Sequence, residues 1–276
     1  MEQMFTFLKN QIQNSTRERV SCMILSMQPF LSVVIPSYNE LANIERNVLQ
    51  DVLDFLEKQT YTWEVILSDD GSTDGTIEKL REFAKGDKRI SVVENIHAGK
   101  APTVRAGMNK ATGKWRLFTD FDQSTPLSEV QKLFKEAERG CDVVIGSREI
   151  QGALRDKEPL HRHLMGKGFN FFVRLMTVPG LHDTQCGFKL FSQAATEVLF
   201  SKLVVYNSKV GRKDAFTGAF DVELLFLARK FGFRIAEVPI KWKYAHSVRV
   251  SPLKDSVRMF RDIIHIRVSD ILGKYE

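Results

Sequence analysis

Short apolar runs alternate with amphipathic stretches between residues 31 and 146 of this 276-residue chain. Most runs are near-continuous and contain β-branched residues, which is typical of strands buried on both faces. The runs cover residues 31–36, 64–68, 90–93, 115–119 and 142–146. Because amphipathic stretches separate them, the pattern predicts βαβ units and an α/β fold with a mostly parallel central sheet flanked by helices.

The intervening stretches predict helices at 41–57, 74–85, 101–110 and 127–139. Asp74 and Thr125 are suited to cap two of them, the second with Pro126 at its first helical position. After residue 148 the pattern predicts a polar loop, an amphipathic stretch at 160–176, a helix near 220–231, a strand at 234–240 and an amphipathic helix near 253–272. We therefore expect an appended segment (1–28), a main domain (29–250) and a C-terminal amphipathic helix (251–276).

Three dispersed cysteines, Cys22, Cys141 and Cys186, provide neither a disulfide framework nor a CxxC metal site, which favours a reducing compartment. Residues 20–39 carry no charge and are long enough to span a bilayer. However, Pro29 divides this stretch, and its second half fits a buried strand better. We therefore expect no membrane-spanning segment and no export signal.

The net charge of +6 is uneven, because residues 1–147 carry −3 and residues 148–276 carry +9. A basic half suggests phosphates, nucleic acid or an anionic membrane surface as partner, although a merely solvated basic surface is the alternative. The sequence has no base-stacking or groove-reading motif, so we expect no nucleic-acid partner. The basic helix near 253–272 would either lie in a membrane interface or pack on the sheet.

Polar clusters follow three of the predicted strands, at residues 36–40, 69–76 and 120–122. Open parallel sheets bind ligands at the carboxyl ends of their strands, so the three clusters together predict one acidic pocket. Asp120 and Asp122 lie at i and i+2 of an extended segment and would point the same way. Their oxygens suit a hard cation such as Mg²⁺ or Mn²⁺ that keeps positions open for substrate phosphates.

Two common nucleotide chemistries are disfavoured by the motifs. The chain has no glycine-rich dinucleotide fingerprint, and residues 97–100 lack the upstream glycine and the following Ser or Thr of a P-loop. Hydride transfer and P-loop NTP hydrolysis are therefore not expected. Asp221 and Glu223, near the start of a predicted helix, would either take part in chemistry or compensate the helix dipole.

The segments 33–40 (VVIPSYNE), 69–76 (DDGSTDGT) and 120–122 (DFD) resemble those of family 2 glycosyltransferases with the GT-A fold. Further segments, at 146–148 (GSR), 183–191 (DTQCGFKLF), 220–225 (FDVELL) and 237–240 (EVPI), are similar to those of polyprenyl (dolichyl) phosphate β-glucosyltransferases. The resemblance extends from about residue 30 to residue 270. It departs from the family pattern at Phe121, at residues 123–124 and at residues 101–102, which leaves the donor sugar open.

The resemblance implies a role for individual residues. The nucleotide base and ribose would be lined by Pro36, Tyr38, Glu40 and Asp69, and the nucleotide would be bordered by Lys100 and Arg105. The metal would be held by Asp120 and Asp122. Arg249 would close over the donor diphosphate. Arg148 and Arg162 would contact phosphates of the donor or of the acceptor lipid. Asp183 would lie near the reacting sugar, so that Asp122, Asp183 and Arg148 form the expected catalytic set.

The implied reaction is metal-dependent, inverting transfer of glucose from UDP-glucose to a polyprenyl phosphate. A phosphate monoester has a second pKa of about 6 and needs no strong base to act as the nucleophile. There are three alternatives. The acceptor could be a sugar hydroxyl, the donor could be GDP-mannose, or the chain could be a non-catalytic subunit that binds a nucleotide sugar. We expect a cytoplasmic protein that is peripheral on the membrane face, with a membrane protein or a second copy of the chain as further candidate partners.

Overall fold

The computed structural model describes residues 28–156, 173, 176–206, 218–243 and 252–276. Most of the predicted N-terminal segment and of the amphipathic stretch at 160–176 lies outside the described residues. Arg162 and Arg249 also lie outside them. Within the described residues, no helix combines the length and the apolar character needed to cross a membrane.

A mostly parallel sheet forms the centre of the molecule, as the sequence predicts. Its strands are β1 (Leu31–Ser37), β2 (Trp63–Asp69), β3 (Ile90–Glu94), β4 (Trp115–Thr119), β5 (Val143–Ser147), β7 (Phe188–Ser192) and β8 (Ile235–Pro239). Their order is β3-β2-β1-β4-β7-β5-β8, and β7 runs antiparallel to both of its neighbours. A short parallel ribbon pairs β6 (Leu154–Arg155) with β9 (Lys241–Trp242).

Helices cover both faces of this sheet. They are α1 (Leu41–Glu45), α2 (Val48–Leu56), α3 (Thr76–Ala84), α4 (Lys100–Lys110), α5 (Val130–Glu138), α6 (Gln193–Ser201), α7 (Phe220–Lys230) and α8 (Pro252–Ile271). Successive strand residues alternate between two apolar cores. Val34 packs with α4, α6 and α7 on one face, whereas Val33 and Ile35 pack with α2 and α5 on the other. Burial of β1 on both faces explains its near-continuous apolar sequence.

Three local predictions were wrong in detail. The helix predicted at 41–57 is divided in two, because Asn47 adopts a left-handed conformation with φ of 61°. Gly75 rather than Asp74 is the N-cap of α3, although the Asp74 carboxylate still accepts from the Thr76 amide at 3.0 Å. A 3-10 turn precedes α5, and Pro126 rather than Thr125 occupies the residue before that turn.

Candidate active site

The loops that follow β1 and β2 are joined by hydrogen bonds at the carboxyl edge of the sheet. The Ser37 hydroxyl donates to Oδ1 of Asp69 at 2.9 Å. The Asn39 amide donates to the Ser72 hydroxyl at 2.9 Å, and Ser72 donates to Asp69 through both its amide and its hydroxyl. The first two polar clusters therefore form one continuous surface.

A stacked aromatic pair, Tyr38 and His97, belongs to this surface. The two ring centroids are 4.2 Å apart, and the ring planes differ by 9°. Nδ1 of His97 lies 2.9 Å from Oδ2 of Asp70, whose carboxylate also accepts from the amides of Ala98 and Gly99. Asp70 thus orders the loop that leads into α4. Neither His97 nor this role of Asp70 was predicted from the sequence.

The remaining residues expected to bind the donor are placed by nearby elements. Pro36 pairs with Ser68 near the ends of β1 and β2. The Glu40 amide donates to Oγ1 of Thr76 at 2.8 Å, at the start of α3. Arg105 is partly buried on α4. Pro36, Tyr38, Glu40 and Asp69 therefore lie along the edge where β1 and β2 end.

The first residue of α4 contacts the third polar cluster. Nζ of Lys100 lies 2.5 Å from Oδ1 of Asp120, directly after β4. Burial would lower the pKa of Lys100, but the carboxylates of Asp120 and Asp221 outweigh it and raise that pKa. Burial, and then the negative charge of Asp120, raise the pKa of Asp122. Lys100 therefore compensates part of the charge of a crowded pair of carboxylates.

Asp120 and Asp122 fit a divalent cation by the chemistry of their donor atoms. Carboxylate oxygens are hard ligands, and the mutual repulsion that raises the pKa of Asp122 would be relieved by a cation between them. Among the described residues, no three His, Cys, Asp or Glu side chains are grouped as a preformed metal site. The two carboxylates would therefore supply part of a coordination shell that substrate phosphates complete, as Mg²⁺ sites often do.

A bidentate ion pair joins the partly exposed Arg148 to the buried Asp183. Nε and Nη2 of Arg148 lie 2.7 and 2.8 Å from the two carboxylate oxygens, and the Arg148 amide donates to Oδ2 at 2.9 Å. Burial would raise the pKa of Asp183, but the Arg148 guanidinium outweighs it and lowers that pKa. Glu237 on β8 accepts from the Asp183 amide at 2.7 Å and fixes the turn. Asp183 is therefore a weakly basic carboxylate with both oxygens engaged.

Trp242 brings a second arginine close to this pair. The guanidinium carbons of Arg148 and Arg155 each lie 5.5 Å from the Trp242 ring centroid. Cross-strand pairing of Arg155 with Trp242 in the β6–β9 ribbon produces this arrangement. Each of the two arginines is also paired with a carboxylate, Arg148 with Asp183 and Arg155 with Glu149. The short polar loop that contains Arg155 gave no sequence signal for this arrangement.

Asp221 and Glu223, which the sequence left open between two roles, differ in the structure. Oδ1 of Asp221 lies 2.6 Å from Nζ of Lys189, and both side chains are buried. The Glu223 carboxylate accepts from the amides of residues 204–206 and from the Tyr275 hydroxyl. Glu223 therefore stabilises the packing of α7 against the chain terminus. Lys189 was missed, although a lysine inside the apolar segment 188–191 was a usable signal.

The structure accounts for Phe121, one of the positions at which the sequence departs from the family pattern. Its side chain is buried in the core that contains α2 and α5, between two residues that carry carboxylates. A large residue is accommodated at this position because it faces the core.

Comparison with known proteins places these features in context. The family model for glycosyl transferase family 2 matches residues 32–200. The dolichyl-phosphate beta-glucosyltransferase of Saccharomyces cerevisiae is 33% identical over 266 residues, which cover 89% of this chain and 76% of that protein. The protein of the same name from Homo sapiens is 32% identical over 264 residues, covering 89% and 77%.

Solved structures with similar folds support the same architecture. Glucosyl-3-phosphoglycerate synthase from Mycobacterium tuberculosis, solved with Mn²⁺, UDP and glucosyl-3-phosphoglycerate, gives a TM-score of 0.58 at 22% identity, covering 87% of this chain and 79% of that one. A mannosyltransferase from Pyrobaculum calidifontis, solved with GDP-Man and Mn²⁺, gives a TM-score of 0.50 at 19% identity, covering 90% of this chain and 71% of that one. At these identities the likeness establishes the GT-A fold alone.

Proposed function

This chain belongs to glycosyl transferase family 2, and from that membership we propose that it transfers glucose from UDP-glucose to a polyprenyl phosphate of the dolichyl type. The chain is a glycosyltransferase. The names of its relatives support both the lipid phosphate acceptor and glucose as the sugar. The uridine nucleotide rests on the sequence resemblance alone, and GDP-mannose is the alternative donor.

The ion pair between Arg148 and Asp183 is the observation that carries the choice of acceptor. A sugar hydroxyl must lose a proton as it attacks, so it needs a well-placed general base. Asp183 is the carboxylate expected near the sugar, but Arg148 occupies both of its oxygens and lowers its pKa. A phosphate monoester is already largely ionised near pH 7 and does not need such a base.

The proposed reaction is a direct displacement. An oxygen of the acceptor phosphate attacks the anomeric carbon of glucose from the face opposite UDP, the bond from that carbon to the UDP oxygen breaks, and UDP leaves. Inversion gives a β-linked glucosyl phosphate. Asp120 and Asp122 would hold Mg²⁺ or Mn²⁺, which supplies charge stabilisation for the departing diphosphate.

Basic side chains perform the remaining steps. A guanidinium has five N–H donors, and Asp183 uses two of those on the Arg148 side chain, so the others can orient a phosphate oxygen. Lys100 contacts Asp120 of the acidic pair and can balance charge that develops on the diphosphate. Arg162 and Arg249 remain proposed phosphate ligands that lie outside the described residues.

We also propose that α8 holds the enzyme on the cytoplasmic face of a membrane as a peripheral protein. Ile263 and Ile266 are buried, whereas an apolar stripe on the opposite face is exposed to solvent. The stripe consists of Val257, Phe260, Ile264, Val268, Ile271 and Leu272. Arg261 is exposed beside it, which suits an anionic lipid surface. A lipid acceptor requires such contact with a membrane.

The deciding experiment measures transfer of labelled sugar to a short-chain polyprenyl phosphate. UDP-glucose and GDP-mannose are compared with and without EDTA, for the wild type, for Asp122→Asn and for the matched surface control Asp54→Asn. We expect an acid-labile lipid product from UDP-glucose that EDTA and Asp122→Asn abolish and Asp54→Asn does not. Binding of either nucleotide sugar without labelling of the lipid would overturn the acceptor, and soluble glycans would then be tested.

A further inference from the structure

The Lys189 side chain is fully buried on one face of the sheet, beside the strand β4 that leads into the acidic pair Asp120 and Asp122. Lys189 is the cross-strand neighbour of Phe118 in the antiparallel pairing of β4 with β7. Its Nζ lies 2.6 Å from Oδ1 of Asp221, donates to the backbone carbonyl of Cys186 and lies 5.9 Å from the Phe118 ring centroid. Lys189 therefore ties α7 to the backbone that leads into β7.

That backbone sets the place of Asp120. The Asp120 amide donates to the Gly187 carbonyl at 3.0 Å. The Asp120 carboxylate also packs so closely on Gly187 that a Cβ there would lie 2.0 Å from Oδ2. Lys189 holds the carbonyl of Cys186, the residue before Gly187. A shift of this segment would thus move Asp120.

A second contact runs through Phe118. Nζ of Lys100, which binds Asp120, lies 5.2 Å from the same ring centroid. Phe118 also packs against Phe220, the residue before Asp221, with ring centroids 5.8 Å apart. Both lysines and the first turn of α7 therefore pack around one aromatic ring.

Stability alone does not require an ion pair at this place. Burial of two charges is costly, and replacement of a buried pair by apolar side chains of similar volume is often neutral or stabilising. The surroundings already offer apolar partners, since Phe118 and Phe220, which lie in the core on this face of the sheet, are fully buried. A role in placing other groups would account for the pair.

We propose that Lys189 and Asp221 are positioning residues that hold the Cys186–Gly187 backbone and thereby fix the Asp120 carboxylate for binding the metal–diphosphate group of the donor. The proposal rests on the proposed function. It concerns two side chains that are buried from solvent, 0% and 2% exposed. Residues that orient metal-binding side chains typically change metal affinity by about 10- to 100-fold when they are replaced.

An electrostatic role and a positioning role of Lys189 predict opposite changes in cation affinity for the variant Lys189→Met. Lys189→Met removes a positive charge close to the carboxylates, so through-space electrostatics alone would strengthen binding of a divalent cation. Loss of positioning would weaken it. Lys189→Met/Asp221→Leu removes both charges and leaves the local net charge unchanged, so it tests position without a change in charge.

The test measures binding of Mn²⁺ in the presence of UDP, from the loss of the electron paramagnetic resonance signal of free Mn²⁺, with thermal unfolding as a second readout. We expect the Mn²⁺ dissociation constant to rise about 10- to 100-fold in Lys189→Met and in the double variant. Lys189→Arg, which keeps the donor, should restore part of the affinity. Lys230→Met removes a partly exposed pair of the same 2.6 Å length, between Lys230 on α7 and Asp270, and serves as the control for loss of an α7 ion pair.

Each outcome separates the two proposals. Tighter or unchanged Mn²⁺ binding in Lys189→Met, or unchanged binding in a folded double variant, overturns the positioning role and leaves the proposed function standing. An equal loss of affinity in Lys230→Met assigns the effect to general stability and also overturns it. If the wild type with UDP binds no Mn²⁺, the metal part of the proposed function fails, and the positioning role fails with it.

Discussion

Gly187 and Asp120 approach so closely that a Cβ atom on Gly187 would lie 2.0 Å from Oδ2 of Asp120. We therefore expect Gly187→Ala to displace the Asp120 carboxylate and to reduce the transfer rate by about 100-fold, the cost of a misplacement near 1 Å. The reduction in transfer rate would be measured by steady-state kinetics with UDP-glucose and polyprenyl phosphate. Gly86→Ala is the control for loss of stability alone, because φ of 93° strains an alanine there although an added Cβ meets no atom within 4 Å. A fully active Gly187→Ala would contradict the assigned role of Asp120.

The lowered pKa of Asp183 gives a prediction about pH. If the acceptor phosphate is the nucleophile, the acidic limb of kcat/KM follows its second pKa of about 6. Asp183→Asn should lower the rate about 10- to 100-fold, because Arg148 loses its bidentate partner and is misplaced. The acidic limb of the kcat/KM profile should keep its shape in Asp183→Asn. A phosphonate acceptor with a higher second pKa should shift that limb to higher pH. Loss of the limb in Asp183→Asn would instead identify a general base.

Much of the fold follows from local sequence patterns. The buried strands were predicted because burial on both faces of a parallel sheet demands near-continuous apolar runs, as in β1. Helix boundaries were less accurate. Asn47 interrupts an otherwise helical pattern by adopting φ of 61°, which composition alone does not reveal. The antiparallel direction of β7 depends on how the chain returns to the sheet, and periodicity carries no such information.

The sequence proposed residues for the candidate site but not the contacts between them. Asp120 and Asp122 follow a strand directly, so the rule for the carboxyl ends of parallel strands located them. The pairing of Arg148 with Asp183 joins residues 35 positions apart and arises where β5 and the turn before β7 meet. The contact of Arg155 with Trp242 depends likewise on the β6–β9 ribbon. Only the three-dimensional structure brings such pairs together.

Glu223 is predicted to be structural. Its carboxylate accepts from the amides of residues 204–206 and from the Tyr275 hydroxyl, so Glu223→Ala leaves several buried donors without an acceptor. We expect the free energy of unfolding to fall by about 3 kcal/mol or more. Denaturant unfolding would measure it, against Glu94→Ala on the surface, which should change it by about 0.5 kcal/mol or less. Equal effects of the two variants would refute this role.

Glu223 should also make stability depend on pH. Burial outweighs its hydrogen bonds and raises its pKa above the ordinary 4.5. A raised pKa means that the folded state binds the proton more tightly, so this contribution is fully present below the unfolded pKa and is lost as pH rises through the folded pKa. The free energy of unfolding, measured from pH 4 upward, should therefore fall less steeply in Glu223→Gln than in the wild type. If the free energy of unfolding fell more steeply with pH in Glu223→Gln than in the wild type, the pKa of Glu223 would be lowered in the folded state and not raised.

The apolar stripe of α8 should bind lipid. Val257 and Ile271 are 71% and 78% exposed, and Ile264 lies between them on the same face. Ile264→Asp places a charge in the stripe and should reduce sedimentation with phosphatidylcholine–phosphatidylserine vesicles, while UDP-glucose binding stays unchanged. Thr60→Asp adds the same charge at an exposed position outside α8 and should bind vesicles like the wild type. Because the basic side chains beside the stripe act through long-range attraction, wild-type binding should also weaken with added salt. Equal vesicle binding by Ile264→Asp and Thr60→Asp would exclude α8 as the membrane-binding element.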